Sequence, residues 1–135
     1  MLDQVKIIDL PSINDERGVL TAVESAQDIP FAIQRLFYMH HVVEDRGGHA
    51  HIDTDQIIIP ISGSFKVALF DGESRQSHML DSAVHGLYIP RMIFIELSDF
   101  SKNSICLVLA SDHYNIKRSL RDLEAYTHYL GRLDG

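Results

Sequence analysis

The chain has 135 residues, 45% of them hydrophobic, a formal net charge of −7 and a single cysteine. That length can bury a core without staples and sets the expectation of one domain over residues 1–135, and the apolar share excludes a disordered chain. Acidic charge with dispersed basic residues repels nucleic acid and anionic membranes at long range, so an anion can bind only in a local pocket of arginines. Cys106 lies in the apolar run "SICLVLAS", which predicts a buried thiol and fits a reducing cytoplasm. No segment approaches the ~20 apolar residues needed to span a bilayer, and "MLDQVKIIDL" lacks the order of a signal peptide.

In chain order, "VKIIDL" reads as a strand and "NDERG" as a turn. "VLTAVE" reads as a strand, "SAQDIP" as a loop, and "FAIQRLFYMHHV" as a longer strand broken by "EDRGG". "DQIIIPISG" and "SFKVALFDG" are strands joined near Ser62–Gly63, and Asp71–Gly72 marks a hairpin turn. "HMLD", "GLYIP", "IFIELSD" and "SICLVLAS" continue the pattern. Many short strands between turn signals predict a sandwich or barrel over residues 1–115. The end differs: Leu120, Leu123, Tyr126, Leu130 and Leu133 recur at helical spacing, which predicts a helix over 118–133 with Ser119 as its N-cap and Asp122 three residues on. Its expected role is to cover an open edge of the barrel.

The stretch "DRGGHAH" holds His49 and His51 two residues apart. On a strand they project from the same face and Ala50 from the other. Their spacing to Gln56 and Gly63 resembles the first motif of the cupins, and "GLYIPRMIFIE" falls where the second would be. A metal-binding cupin would carry a carboxylate at position 56 and an imidazole at position 95; this chain has Gln56 and Ile95. Two imidazoles fall short of the three or four protein ligands a transition metal usually takes. The expectation is a cupin-type jelly-roll β-barrel with a C-terminal α-helix and no metal or other cofactor. The histidine pair is then available for proton transfer.

Seven stretches in order resemble one family more closely: "DERGVLTAVE", "IPFAIQRLFY", "RGGHAH", "ISGSFKVALFDG", "LDSAVHGLYIP", "ELSDFS" and "LVLASDHYN". The chain is similar to the dTDP-4-keto-6-deoxyglucose 3,4-ketoisomerases, the WxcM-like sugar-nucleotide cupins. The resemblance implies a homodimer that moves a ketone from C4 to C3 of a dTDP-linked keto-deoxyhexose. The product would feed aminotransferases making 3-amino-3,6-dideoxy sugars for surface polysaccharides. It implies His49 and His51 as the catalytic pair. It also implies substrate contacts from Arg17, Arg35, Tyr38 and Arg46, with Arg17 and Arg35 suited to a pyrophosphate; Glu96 is carried as a further substrate-binding candidate. The chain departs from the family's usual pattern at Phe37, Ile52 and Ile95.

The blander readings stand beside these. Arg17 follows Asp15 and Glu16 and can pair across the turn; Tyr38 can be a core residue; Glu96 can orient an imidazole or cap a loop. An imidazole base is expected to titrate near neutrality with little tuning, with His51 as principal base and His49 as its partner. Three alternatives share these residues: epimerisation at C3 or C5 of a 4-keto sugar, sugar-nucleotide binding without turnover, and a metal-dependent cupin dioxygenase. The apolar first run is expected to pair with a second subunit about a twofold axis.

Overall fold

A computed structural model describes residues 1–134. Its strands are β1 (Lys6–Asp9), β2 (Ser12–Asp15), β3 (Gly18–Thr21), β4 (Arg35–Met39), β5 (Arg46–His51), β6 (Gln56–Ser62), β7 (Phe65–Phe70), β8 (Arg75–Leu80), β9 (His85–Ile89), β10 (Phe94–Ser98), β11 (Ile105–Ala110) and β12 (Ser119–Leu120), followed by α1 (Leu123–Asp134). One five-stranded sheet runs β1-β9-β6-β11-β4 and another β12-β5-β10-β7-β8, all antiparallel, with β2-β3 a separate hairpin. This is the expected cupin-type jelly roll. No helix is long and apolar enough to cross a membrane among the described residues.

The two large sheets face each other across one apolar layer. Ile58, Leu87, Ile89, Cys106 and Val108 come from the first sheet and Phe65, Val67, Leu69, Ile95 and Leu97 from the second. β6 is buried on both faces: Ile58 points into this layer, while Ile57 and Ile59 point outward beneath Ile29, Phe31 and Ile33. That explains why "QIIIP" is a continuous apolar run rather than an alternating one. Pro60 has no N–H for a ladder, yet it sits in this central strand. The register slips there, with Cys106 opposite Pro60 and Ile105 opposite Ser62, and such a bulge is where a strand tolerates proline.

Several expectations shift. "FAIQRLFYMHHV" is not one strand: residues up to Gln34 form a loop whose apolar side chains cap the first sheet, and the strand spans only Arg35–Met39. The run "EDRGG" does not interrupt all its length, because β5 already begins at Arg46. β6 and β7 meet near Ser62–Gly63 but belong to opposite sheets. Gly63 adopts φ +70 there, and a Cβ would collide with the Ser101 hydroxyl. At Asp71–Gly72 the hairpin forms as read, with Asp71 Oδ1 accepting from the Glu73 and Ser74 amides at 2.9 and 2.8 Å.

The C-terminal helix starts later than its apolar spacing predicts. Residues Ile116–Arg118 form a 3-10 turn, and Ser119 and Leu120 form a strand instead of an N-cap and first turn. Ser119 opposite His51 and Leu120 opposite Ala50 satisfy the backbone of β5, which outweighs helix propensity. Asp122 takes the capping role, accepting from the Ala125 amide at 2.7 Å. Once begun, the helix buries Tyr126 completely against Ala50 and Phe94. The Tyr126 hydroxyl donates to the Met92 carbonyl at 2.6 Å and approaches the Phe70 carbonyl at 3.2 Å. Burial raises that hydroxyl's pKa to about 12, so it remains a donor.

This generates a stability prediction. Tyr126→Ala, which empties a fully buried aromatic site, is expected to cost about 3 to 5 kcal/mol in urea unfolding. Tyr126→Phe, which keeps the ring and loses the donor, is expected to cost about 1 kcal/mol. Equal costs for both would show that the helix is not held by this plug.

Candidate active site

The site begins with β5. Ala50 is pinned outward by Tyr126, so the two-residue period of the strand turns His49 and His51 inward, as their spacing predicts. Their rings meet edge to face with centroids 4.7 Å apart. The backbone at His51 is held from two sides: its carbonyl accepts from the Met92 amide at 2.8 Å, and the Ile52 amide donates to the Arg118 carbonyl at 3.0 Å. Gly47 and Gly48 have positive φ, +91 and +74, at a bulge where the register against β10 slips. There is no room for a side chain at Gly47, since a Cβ would lie 2.8 Å from the Ile95 carbonyl.

Opposite β5, Ile95 faces His49 across the ladder. From the other sheet, Gln56 and Arg35 lie in one row, both in register with Ala110. Gln56 is buried and shares the inward face of β6 with Ile58. The site therefore lies at one end of the sandwich, where the inward residues change from aliphatic to polar. Its donors do not match a metal centre. Position 95 is aliphatic, position 56 is an amide, and among the described residues no group of three His, Cys, Asp or Glu side chains converges.

Electrostatics sets the state of the imidazoles. Burial lowers the pKa of both. For His51 the neighbouring His49 and then the cations of Arg35 and Arg121 add to burial and push it down to about 4. For His49 burial is again the largest cause; the Gly47 backbone opposes it, and Arg121 and Arg35 reinforce it. Both rings are neutral at pH 7 and can accept a proton. This corrects the expectation of a base titrating near neutrality, because the strand end is drier and more positive than the sequence reveals. Among the described residues, His51 Nε2 and Arg35 Nε are both buried with no hydrogen-bond partner. Unpaired buried donors and acceptors are costly, and the Arg35 charge is near enough to His51 to lower its pKa.

The other candidates divide. Arg35 is brought to the site: its guanidinium stacks over Phe37 at 4.9 Å and over Tyr114 at 5.2 Å. Tyr38 is not. It is 61% exposed on the outer face of β4, while Phe37 takes the inward position with Arg35. Strand parity decides this, and the alternation of "RLFYM" carried that signal. Glu96 is exposed and lies on the same outer face of β10 as Phe94, opposite to Ile95, so it cannot meet the histidines. Arg46 stands opposite Leu97 at the exposed start of β5, beside the loop 40–45. Arg17 sits at the tip of the β2–β3 hairpin, with 86% of its side chain exposed and its guanidinium paired with Asp15 at 2.8 Å. It is not among the charges acting on either histidine.

Two residues of the site, Tyr114 and Arg121, were not anticipated. They follow β5 by more than sixty positions, and no local pattern in the sequence links them to it.

Comparison with known proteins places this geometry. The family model described as FdtA, WxcM-like, C-terminal matches residues 3–131. A TDP-4-oxo-6-deoxy-alpha-D-glucose-3,4-oxoisomerase from Aneurinibacillus thermoaerophilus is 36% identical over 131 residues, covering 96% of this chain and 94% of that protein. The crystal structure of a 3,4-ketoisomerase from Helicobacter canadensis matches with a TM-score of 0.91 at 35% identity, over 95% of this chain and 98% of that one. QdtA, a sugar 3,4-ketoisomerase from Thermoanaerobacterium thermosaccharolyticum in complex with TDP, matches with a TM-score of 0.93 at 32% identity, over 98% of both chains. The strands, the inward histidine pair and these matches along nearly the whole length lead to one conclusion: this chain belongs to the FdtA, WxcM-like family.

Proposed function

We propose that this protein is an isomerase that moves the ketone of a TDP-linked 4-keto-6-deoxyhexose from C4 to C3. The observation that carries the reading is the pair of inward imidazoles, held neutral by burial and by the nearby Arg35 charge. The C3 hydrogen lies next to the C4 ketone and is acidified by it. A neutral imidazole, His51 in this reading, takes that proton, and the C–H electron pair forms a C3–C4 double bond while the carbonyl pair moves onto O4. The C3 hydroxyl then gives up its proton, which goes to O4; its electrons re-form a carbonyl at C3, and the double-bond pair takes up at C4 the proton removed from C3, with His49 as partner. Atoms and electrons balance without an external oxidant. Arg35 faces the oxygens that carry the developing charge, where a preorganised cation in a dry site is most effective. The diphosphate of a bound substrate would offset the arginine charges and move the His51 pKa back toward the range that suits a base at neutral pH.

The epimerase alternative begins with the same proton abstraction, and sugar NMR separates the two. Incubated with dTDP-4-keto-6-deoxyglucose in deuterated water, the protein is expected to yield a 3-keto sugar that carries deuterium at C4. His51→Asn should lower the rate by about a hundredfold or more, the usual range for removing a general base. A product that keeps its ketone at C4 would identify an epimerase, and binding with no C–H exchange would identify a non-catalytic binder.

The pH dependence follows from the depressed imidazole pKa values. Activity needs the unprotonated rings, so kcat/KM for the free enzyme should stay level from pH 8 to below 6 and bend downward toward pH 4. Stability follows the same sign. Below the unfolded-state value of 6.5 the unfolded chain takes up a proton that the folded chain refuses, so stability falls as the pH drops from 6.5 toward 4. His51→Asn should make this slope shallower. An acid limb centred at or above 6.5 would contradict the assignment.

We also read the protein as a twofold dimer working in the cytoplasm. Supporting this are the unpaired edge of β1, the exposed Ile7 on it, and the exposed Ile13, Val19 and Leu20 of the adjoining hairpin. The lone thiol, raised to about 12 by burial, suits a reducing compartment. Light scattering should give twice the chain mass at micromolar concentration, and removal of residues 1–9 should produce an aggregating protein. A monomeric intact chain would refute the dimer and leave the site assignment standing.

A further inference from the structure

Gln56 stands where a metal-binding cupin would carry a carboxylate, and it is only 4% exposed. Burying a primary amide is costly unless it is hydrogen-bonded. Among the described residues no side-chain hydrogen bond ends on this amide, so the fold does not use the polar group that it buries. The amide lies at the end of the sandwich that holds the histidines, and its unused donors and acceptor point to a partner brought from outside.

The backbone around Gln56 is fastened on two sides. The Asp55 carboxylate accepts from the Arg91 amide at 2.8 Å, and the His51 carbonyl accepts from the Met92 amide at 2.8 Å. Consecutive residues of the β9–β10 connection thus tie the start of β6 to the end of β5. On the other side, the Asp55 amide donates to the Ser111 hydroxyl at 2.8 Å and the Ser111 amide donates to the Asp55 carbonyl at 3.0 Å. These bonds fix Gln56 opposite Ala110, and Arg35 lies beyond Ala110 in the same row. Neighbouring strands are about 4.8 Å apart, which separates the Gln56 and Arg35 backbones by roughly 10 Å with only a methyl group between them. The inward row of the first sheet is therefore amide, methyl, guanidinium: a shallow floor flanked by two hydrogen-bonding groups, across from the sheet that carries His49 and His51.

We propose that the Gln56 amide hydrogen-bonds O3 and O4 of the sugar, the two oxygens that exchange a hydroxyl and a carbonyl in the reaction. This rests on the reading of the protein as a TDP-sugar ketoisomerase. The substrate offers an acceptor at O4 and a donor at O3, and the product offers the reverse. A primary amide has an acceptor oxygen and two N–H donors, and half a turn about its last, soft torsion exchanges their places. One side chain therefore serves the ketone–hydroxyl pair before and after the shift. It also holds O3 and O4 side by side, which is what the passage of a proton between them requires. A carboxylate here would only accept, and its charge would draw protons onto the two imidazoles that must stay neutral to act as bases. The amide supplies both bonds without a charge.

The test compares turnover of dTDP-4-keto-6-deoxyglucose by the full chain with calorimetric binding of TDP, which lacks the sugar. Gln56→Met keeps the length of the side chain and removes its amide. It is expected to lower kcat by about tenfold to a hundredfold, the range for polar groups left without their hydrogen bonds, while TDP binding stays within about twofold. Gln56→Glu is expected to lower kcat too and to move the acid limb of kcat/KM upward by about one pH unit or more, because a carboxylate near His49 and His51 favours their protonated forms. Arg35, in the same row, keeps that carboxylate ionised. A purely structural role for Gln56 would not move the limb. Full kcat in Gln56→Met, with an active wild type, would overturn the contact and spare the isomerase reading. An acid limb that Gln56→Glu leaves in place would do the same, as would TDP binding lost in parallel with kcat in Gln56→Met. A wild-type chain that does not turn over the keto sugar would overturn the isomerase reading and the contact with it.

Discussion

Ala50 has no exposed surface, and the site depends on that fact. Tyr126 and Phe94 cover it from outside the second sheet. A strand has a period of two, so fixing one residue outward fixes both neighbours inward. A one-residue slip would place Ala50 in the interior and both histidines under the helix. The plug that holds α1 to the sheet therefore also sets the orientation of the imidazoles, which links a packing contact on one face to chemistry on the other.

The interior is apolar along most of its length and turns polar at the end that holds Gln56, Arg35 and the histidines. Buried polar groups without partners cost about 1 to 3 kcal/mol each. His51 Nε2 and Arg35 Nε bear such a cost in the free protein. The aliphatic layer built from β6, β7, β9, β10 and β11 can offset it, since burial contributes roughly 25 cal/mol per Å2 of apolar surface. The same dryness that makes the site costly keeps the imidazoles unprotonated. Ile95, where a metal-binding cupin would carry a third imidazole, adds to this: an aliphatic side chain opposite His49 raises desolvation and supplies no donor.

Local pattern proved a good guide to strands and turns and a poor one to the limits of elements. Asp71–Gly72 made its turn as read because the aspartate caps amides two and three residues on, a purely local arrangement. Ser119 has an equally good local signal for an N-cap, but the exposed edge of β5 competed for its backbone and won. Tyr38 and Phe37 show a different limit. Motif resemblance marked the neighbourhood, but which of two adjacent aromatics faces the site depends on strand parity, and parity was legible in "RLFYM" once the strand's start was known. Glu96 fails for the same reason, being one residue out of phase with Ile95.

What the sequence determined by itself is whatever depends on neighbours along the chain. That covers a β-rich fold, two histidines on a common face, the absence of a third imidazole at position 95, and a helix near the end. Tertiary structure alone decided which charges reach those histidines. Arg46 is five residues from His51 in the chain and stays at an exposed strand end, whereas Arg121, seventy residues away, acts directly on it. Coulomb interactions depend on distance through space and on the medium between the charges, and both are set only when β12 docks on β5 and closes the end of the sandwich.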